Sequence, residues 1–580
     1  MSELLSKAQQ LFQSQRYREC VSLLQELHEQ DPSNGLYATN LCFTLRIVKQ
    51  VSEAISWGEL SIRLDSQSAL AYLNLGMAYL VDRQLDNAET MFKKGLELDP
   101  KNGFLWNGLG MRSSLLSLPS QAIKSYEKAR QLDPVNPEIL SNLANAQLET
   151  LDISGAFNTL QTALQTPTGH QMAATNLAMI QQYVPELSSG DVQQLLNLLG
   201  KIFATRDYQF VSKQLGKAGV ARIGFVSSDF YQHTVGRLLV GLFRQTRPKG
   251  LEFYCYSNCV HTDGITEQFE SLADAFYPIT QKSDAEAAEL IYSHSIDLLI
   301  DLNGHTSDSR IAIFCLRPAK VQASWLGFFA STGVPAIDYS LIGRDQILPG
   351  IEEHYSEKIQ PLNCCQYNGE GIPQVALAET LPSERQQYIT FACFNNPAKL
   401  NHKVLHLWVS LLKRIPDSRL VLKWQTFGDA EFVQSLRNKF AELGLADDRL
   451  ILRPRSDYLD MLQEYNDIDI VLDPFPFSGA MTTVYALWMG VPVISLAGFR
   501  PVSRQSSAIL ESLNLRELVA STEAEYKELA ISLAEDTEQR IKLRKSLRQT
   551  METISHQQNK VLLNELQNLA EKGAKESSVV

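Results

Sequence analysis

Three polar segments of this 580-residue chain combine residue types that move protons or hold anions. The run SSDFYQHTVG (227–236) carries His233 in a turn between a β-branched, aromatic stretch and an amphipathic helical pattern. An unperturbed imidazole titrates near pH ~6.5, so it can accept or order a proton close to neutrality. The run FNNPAKL (394–400) puts Lys399, a full positive charge, in a turn with Asn396. The run FPFSGAMTTVYALWMG (475–490) holds Gly479, which permits close backbone approach, and the hydroxyls of Ser478, Thr482 and Thr483, just ahead of a helical pattern. The first turn of a helix offers free N–H groups and a partial positive charge, a setting that fits a diphosphate. A fourth loop, NGHT (303–306), contributes His305, which either shapes the site or takes part in the reaction.

Each of these loops follows a short apolar run: RIGFVSS, DLLIDL, YITFACFN or DIVL. EFYCYS, VQASWLG, DYSLIG, RLVLKW, RLILRP and VPVISLAG are further strand candidates, separated by helical patterns. Continuous apolar strands alternating with helices predict parallel sheets covered on both faces. Two doubly wound, Rossmann-like domains are expected, 221–375 and 386–555, on either side of a low-hydrophobicity stretch near 366–387. Such sheets bind ligands at the carboxyl ends of their strands, and between two facing domains the cleft is the natural place.

The first third follows a different rule. Asp31, Asp65, Asp99 and Asp133 are 34 residues apart, and Pro32, Pro100 and Pro134 follow three of them. Five 34-residue units fill 1–170. The third carries Tyr72, Leu75, Gly76, Tyr79, Ala88, Phe92, Gly95 and Pro100; the fourth answers with Trp106, Leu109, Gly110, Ala122, Tyr126, Ala129 and Pro134. This resembles the tetratricopeptide pattern, an α-solenoid whose concave face takes an extended segment of another protein. Asn40, Asn74 and Asn142 share one repeat position, with Gly108, next to Asn107, in the fourth unit. Stacked amides could grip a peptide backbone whatever its side chains, or simply suit an exposed groove. A less regular helical linker is expected over 171–220, and a C-terminal helix and tail over 556–580.

Composition narrows the function. A net charge of −12 with acids and bases interspersed gives no surface for nucleic acid. No apolar run is long enough to span a bilayer, and the opening MSELLSKAQQLFQSQRY lacks a signal-peptide core. The eight cysteines show no zinc spacing and no disulfide framework, so a soluble protein of the reducing cytoplasm is expected. Dinucleotide, P-loop and zinc-protease motifs are absent from the sequence. Asp467 and Asp469 have an Asp-x-Asp form associated with metal-held sugar nucleotides, but they lead into a strand, so a strand-entry role is expected and no metal or cofactor.

Taken together, SSDFYQHTVG, DLNGHTSDSR, LRPAKVQASWLGFFASTGVPAIDY, FACFNNPAKL, DIVLDPFPFSGAMTTVYALWMGVPV and SRQSSAILESLNLRELVA resemble glycosyltransferase family 41, the protein O-GlcNAc transferase and SPINDLY group. The resemblance implies tetratricopeptide repeats followed by a GT-B catalytic region of two Rossmann-like domains. It also implies inverting, metal-independent transfer of a sugar from a nucleotide diphosphate to protein hydroxyls, with UDP-GlcNAc the favoured donor. His233 matches a histidine beside sugar and acceptor; Lys399 matches the lysine that neutralises the departing diphosphate. Asn396, Ser478, Gly479, Thr482 and Thr483 fall in the donor loops, and Asn40, Asn74 and Asn142 in the acceptor groove. The chain departs from the family at Ala480, Met481 and Tyr485, the last where an acid near the ribose is expected. Those departures leave the donor open and also allow a catalytically weak tetratricopeptide adaptor, while QHTV (232–235) is similar to the SPINDLY branch of the family and keeps a fucosyl donor open.

Overall fold

The computed structural model describes residues 2–14, 16–166, 170–204 and 219–576. It divides into two units, Met1–Thr150 with Ser154–Ala173, and Leu151–Ile153 with Ala174–Val580.

The first unit is a series of helix pairs: Ser2–Gln13 with Tyr17–Gln30, Gly35–Ile47 with Val51–Leu64, Ala69–Val81 with Leu85–Leu98, Gly103–Leu115 with Pro119–Leu132, and Pro137–Glu149 with Ile153–Leu164. The aspartate period has a structural cause. Asp31, Asp65, Asp99 and Asp133 each end the second helix of a pair. Asn34, Ser68, Asn102 and Asn136 then cap the next helix, their side-chain oxygens accepting its first free N–H groups. Three of the caps are held in turn by the aspartate, Asn34 Nδ2 donating to Asp31 (3.4 Å), Asn102 to Asp99 (3.1 Å) and Asn136 to Asp133 (2.9 Å). Within a pair the small residues set the distance. A Cβ on Gly76 would lie 2.6 Å from the Phe92 ring, and one on Gly110 would lie 2.3 Å from Tyr126. Both rings are buried, so a methyl at either glycine would push the two helices apart.

The second unit holds two parallel sheets among its described residues. The first orders its strands β3-β2-β1-β4-β5-β6-β7, with β1 Ala221–Ser227, β2 Leu251–Ser257, β3 Ala275–Pro278, β4 Leu298–Asp301, β5 Val321–Trp325, β6 Tyr339–Gly343 and β7 Lys358–Leu362. The other runs β10-β9-β8-β11-β12-β13, with β8 Ile389–Cys393, β9 Ser418–Lys423, β10 Leu450–Arg453, β11 Ile470–Leu472, β12 Val493–Leu496 and β13 Val519–Ala520. β4, β5 and β11 are buried along their whole length, as strands covered on both faces must be. This is the helical-repeat and GT-B-like architecture expected from the sequence. Three strands were not anticipated. β3 is partly exposed, β7 reads KIQPL, and β13 has two residues; at a sheet edge the apolar run that signals a central strand is not needed.

Of the expected linker 171–220, helices His170–Ile180 and Ser189–Ile202 occupy the described part, and 205–218 lies outside the described residues. At the other end one 40-residue helix, Thr537–Glu576, runs through the expected boundary at 555. Its last stretch returns to the first sheet's domain, where Asn559 pairs with Asn368 and Glu370 and Glu565 pairs with Asn363. Residues 577–580 of the tail lie outside the described residues.

Candidate active site

The loops that follow β8 and β11 build a cation pocket. Lys399 closes a short 3-10 turn, Pro397–Lys399, and its Nζ donates to Asn395 Oδ1 (3.0 Å) and to the Ser478 carbonyl (2.9 Å), 4.1 Å from the centre of the Phe477 ring. Two of its three donors are used inside the protein, which leaves one for a ligand. Burial lowers its pKa to about 8, and the nearby Asp473 and Cys393 oppose that shift. Asp473 is itself fully buried. It accepts from the Gly479 N–H (2.6 Å) and from Ser495 Oγ (2.7 Å), and its carboxyl is raised to about 6 by desolvation. Beside the lysine begins the helix Met481–Trp488, whose N-cap, Ala480, provides no side-chain cap. Its first N–H groups keep their partial positive charge for an anion.

The residues expected around that helix divide. Thr482 is partly exposed and donates to the same Asn395 oxygen (3.0 Å) that holds Lys399. Ser478 and Thr483, expected in the donor set, spend their hydroxyls inside the protein. The Ser478 hydroxyl turns inward to the Val502 carbonyl (2.9 Å), and that of Thr483 meets Ser506 Oγ (2.7 Å), both essentially without solvent contact. Gly479 is needed for packing: a Cβ there would lie 2.5 Å from Thr483 Oγ1 and 2.8 Å from Thr482 Oγ1. Its N–H is taken by Asp473, so the close backbone approach expected of it is made to the protein's own side chains. Asn396 uses its Oδ1 to cap the lysine turn at Ala398 N (3.0 Å). Its unremarked neighbour Asn395 touches both Lys399 and Thr482. The doublet itself was the only sign of this in the sequence.

In the first sheet's domain, His233 caps a helix and keeps its ring in reach of solvent. It is the N-cap of Thr234–Phe243, Nδ1 accepting from Val235 N (3.4 Å), while the same nitrogen lies 3.4 Å from Asp229 Oδ2. Its side chain is 42% exposed, so the imidazole reaches solvent from a fixed base. Asp229 is buried and held by Asn303 Nδ2 (2.8 Å) and Ser228 Oγ (3.3 Å). Asn303 belongs to the NGHT loop, whose turn is fixed by Asp301 accepting from Asn303 N (3.2 Å) and Gly304 N (2.7 Å). Gly304 sits at φ +57°, and a Cβ there would meet Phe328 at 2.3 Å.

His305, expected as a site-shaping or third catalytic residue, lies inside the framework. It is 5% exposed, packed against Phe203 and Phe328, and its Nε2 lies 2.6 Å from the Thr332 carbonyl, which can only accept. Burial lowers its pKa to about 4, so it stays neutral within the framework. Asp469 accepts from Thr390 N and from the Ser383 N–H and hydroxyl at the entry to β11, and Asp467 pairs with Arg453 (3.3 Å). Both aspartates therefore serve strand entry. Among the described residues no three His, Cys, Asp or Glu side chains converge as metal ligands would.

The two carboxyl-end loop sets meet. Phe329, beyond β5, packs edge-on to Phe477 at 5.0 Å between ring centres. Arg237, one turn beyond His233, lies 3.4 Å over the ring of Tyr458, which packs edge-on to Tyr485. Tyr485, one turn beyond Thr482, thus belongs to an aromatic contact between the domains.

In the repeat unit, Asn40, Asn74 and Asn107 line a concavity of about 570 Å3 together with Phe43, Arg46 and Met77. Asn142, expected as a rung, does not line it but donates to Asn107 Oδ1 (3.0 Å), and Asn107 donates to Glu138 (3.1 Å). Asn74 is 6% exposed, with Nδ2 3.5 Å from the Thr39 carbonyl. The amide ladder is thus partly spent on the protein itself. Gly108 breaks it because a Cβ there would strike Phe92 at 2.6 Å. Leu36, Leu70 and Phe104, again 34 apart, stand 46–47% exposed at equivalent helix starts.

Comparison with known proteins gives the site its context. The model for Glycosyl transferase family 41 matches residues 195–372 and 365–563, and a tetratricopeptide repeat model matches 69–102. A barley (Hordeum vulgare) protein described as "Probable UDP-N-acetylglucosamine–peptide N-acetylglucosaminyltransferase SPINDLY" is 31% identical over 386 residues, 65% of this chain and 41% of that protein. Its Arabidopsis thaliana counterpart is 32% identical over 337 residues, 57% of this chain and 36% of that protein. The chain therefore spans less than half the length of these relatives. A solved O-GlcNAc transferase of Thermobaculum terrenum, a lysine-to-methionine mutant, superimposes with a TM-score of 0.81 at 27% identity, covering 88% of this chain and 98% of that one. No described helix is long and apolar enough to cross a membrane. A family match over more than half the sequence, joined to this fold, establishes that the chain belongs to glycosyltransferase family 41.

Proposed function

We propose that the chain is an inverting protein glycosyltransferase that transfers GlcNAc from UDP-GlcNAc to Ser/Thr hydroxyls, using its own cation and no metal at the leaving group. The observation that carries this reading is the Lys399 ammonium, fixed by Asn395 and Ser478 beside an uncapped helix start. In the reaction the bond from sugar C1 to the diphosphate oxygen breaks, and a bond from C1 to the acceptor oxygen forms. The negative charge that gathers on the diphosphate meets Lys399 and the helix N–H groups, which are already in place and need no reorganisation. The acceptor proton passes to His233 Nε2. In the tautomer that turns an Nδ1 proton to Asp229 and gives up the Val235 N–H contact, Nε2 is the base, and the carboxylate then stabilises the imidazolium. The repeat concavity supports an extended polypeptide acceptor, its apolar rungs adding side-chain selection to the amides. The eight free cysteines support a reducing cytoplasm.

A second reading, a fucosyl or other nucleotide-sugar donor, has one observation in its favour: Tyr485, packed under Tyr458 and Arg237, replaces the acid expected near the ribose. A panel of UDP-GlcNAc, UDP-Glc, UDP-GalNAc and GDP-fucose, assayed for binding and nucleotide release with Lys399→Met as control, tests both. Lys399-dependent release from UDP-GlcNAc alone supports the first reading, and release from GDP-fucose supports the second. No binding at millimolar donor overturns both and leaves a polypeptide-binding adaptor.

A further inference from the structure

Behind the cation pocket a line of buried side chains joins the two domains. The Trp325 indole N–H, at the end of β5, donates to Gln366 Oε1 (3.0 Å), and Gln366 Nε2 donates to Tyr367 Oη (3.0 Å). Tyr367 Oη donates to Gln505 Oε1 (2.9 Å), and Gln505 Nε2 donates to the carbonyls of Val502 (3.1 Å) and Ser478 (3.4 Å). That last carbonyl is the one that accepts from Lys399 Nζ. No member from Trp325 to Ser478 is more than 7% exposed. An indole can only donate and a carbonyl can only accept, so both ends are fixed and every amide and hydroxyl between them has one orientation. A connected chain of this kind, shielded from water, acts as a unit. Its middle comes from the start of the stretch that reads in sequence as low in hydrophobicity, yet Gln366 and Tyr367 are both buried.

We infer that Gln505 and Tyr367 are positioning residues for Lys399: Tyr367, from the first domain, sets the Gln505 amide, and Gln505 holds the Ser478 carbonyl where it receives the ammonium. The inference rests on reading Lys399 as the diphosphate cation only for its consequence in catalysis; the positioning itself is a property of the unliganded chain. The groups that face Lys399 are the Asp473 carboxyl from the loop after β11, the Cys393 thiol from β8, the Asn395 amide, the Phe477 ring and the Ser478 carbonyl. Of these, Ser478 O is the contact that the chain of side chains controls. A carbonyl has two lone pairs, so Gln505 and Lys399 do not compete for it. If it drifts, the charged form of the lysine loses an acceptor and the proton leaves more readily.

The test is the titration of Lys399 itself, read from its rate of acetylation by acetic anhydride against pH, quantified by peptide mass spectrometry on the full chain without ligand. Tyr367→Phe removes one hydroxyl; Gln505→Met keeps the length of the side chain but neither donates nor accepts. Both variants are expected to titrate at least about half a pH unit below the parent, and their double variant no further than the lower single one, as a shared chain requires. UDP affinity at pH 7.5 should fall in step with the charged fraction, about one-and-a-half-fold for a half-unit shift and about threefold for a full unit. An unmoved midpoint in folded Tyr367→Phe overturns the inference, whatever happens to its melting temperature, and this variant decides alone if Gln505→Met does not fold. Midpoints shifted in the variants of a parent that binds no UDP would sustain the positioning and remove the transferase reading. UDP binding with unmoved midpoints would do the reverse.

Discussion

The two sides of the cleft are built to different tolerances. Around Lys399 the polar atoms are committed: Asn395 and the Ser478 carbonyl accept from the ammonium, Asp473 accepts from the Gly479 N–H, and the ammonium has one donor left to offer. Around His233 the contacts are looser. A single nitrogen faces both a donor and an acceptor at 3.4 Å, on a side chain 42% exposed. The difference follows from what each side would have to do. A departing diphosphate is the same in every turnover, and its charge is best met by groups that do not move. An incoming hydroxyl arrives on a polypeptide, so the group that receives its proton must keep solvent access and settle only when the acceptor is present.

Substitution breaks this contrast most sharply at the committed side. Lys399→Met should lower turnover by about a thousandfold, the scale of a lost pre-organised charge, while the protein melts at the same or a higher temperature. Removing a largely desolvated ammonium relieves the fold, as its lowered pKa implies. Scanning calorimetry beside a nucleotide-release assay reads both, and a melting temperature that falls with activity would make Lys399 a structural residue. On the looser side Asp229→Asn should cost roughly ten- to a hundredfold, because it removes the partner that orients His233 without removing the base. The loss should be in kcat, with donor affinity unchanged. A loss in donor affinity instead would place Asp229 on the wrong side of the comparison.

The contrast also bears on what a sequence can reveal. The repeats were legible because capping obeys local rules: an aspartate that ends one helix and an asparagine or serine that starts the next recur at a fixed interval. The central strands and the loops after them were legible because burial on both faces leaves an unbroken apolar run. The direction of a hydroxyl was not. Ser478 and Thr483 have the composition of a phosphate loop, yet they face Val502 and Ser506, partners more than twenty residues away. Asn395 and Asn396 are chemically identical neighbours, and only the turn geometry decides which one holds Lys399. Gln366, Tyr367 and Gln505 gave no signal, since a buried polar chain is assembled from segments distant in sequence. His305 resembled a reactive histidine by its loop, but the Phe203 and Phe328 rings around it make it a framework residue.

Proton occupancy offers a milder way to sharpen the comparison. If the committed side acts through charge, transfer should decline as pH rises through about 8, where Lys399 loses its proton. Between pH 8 and 9 a single titrating group predicts a fall of about fivefold. The decline should appear in UDP binding as well as in turnover, because both need the ammonium. A flat profile to pH 9.5 would mean that the helix N–H groups and Thr482 carry the diphosphate without it.

The smallest effect on turnover should come from His305, whose variant separates a framework histidine from a reacting one. His305→Gln keeps an N–H that can reach the Thr332 carbonyl, so transfer at pH 7.5 should stay within about twofold of the parent, whereas a general base would cost at least about a hundredfold. Its signature lies in stability against pH. The folded-state pKa of about 4 is below the ordinary value of 6.5, so between those values the unfolded chain binds more protons and stability rises with pH. Read downward, stability present above pH 6.5 is lost as the pH falls towards 4, amounting to about 2 kcal/mol at pH 5 for this one group. Urea unfolding of parent and variant at pH 7 and pH 5 measures it. The parent should lose more between the two, and an equal loss in both would show that neutral burial of His305 contributes nothing to the acid sensitivity of the fold.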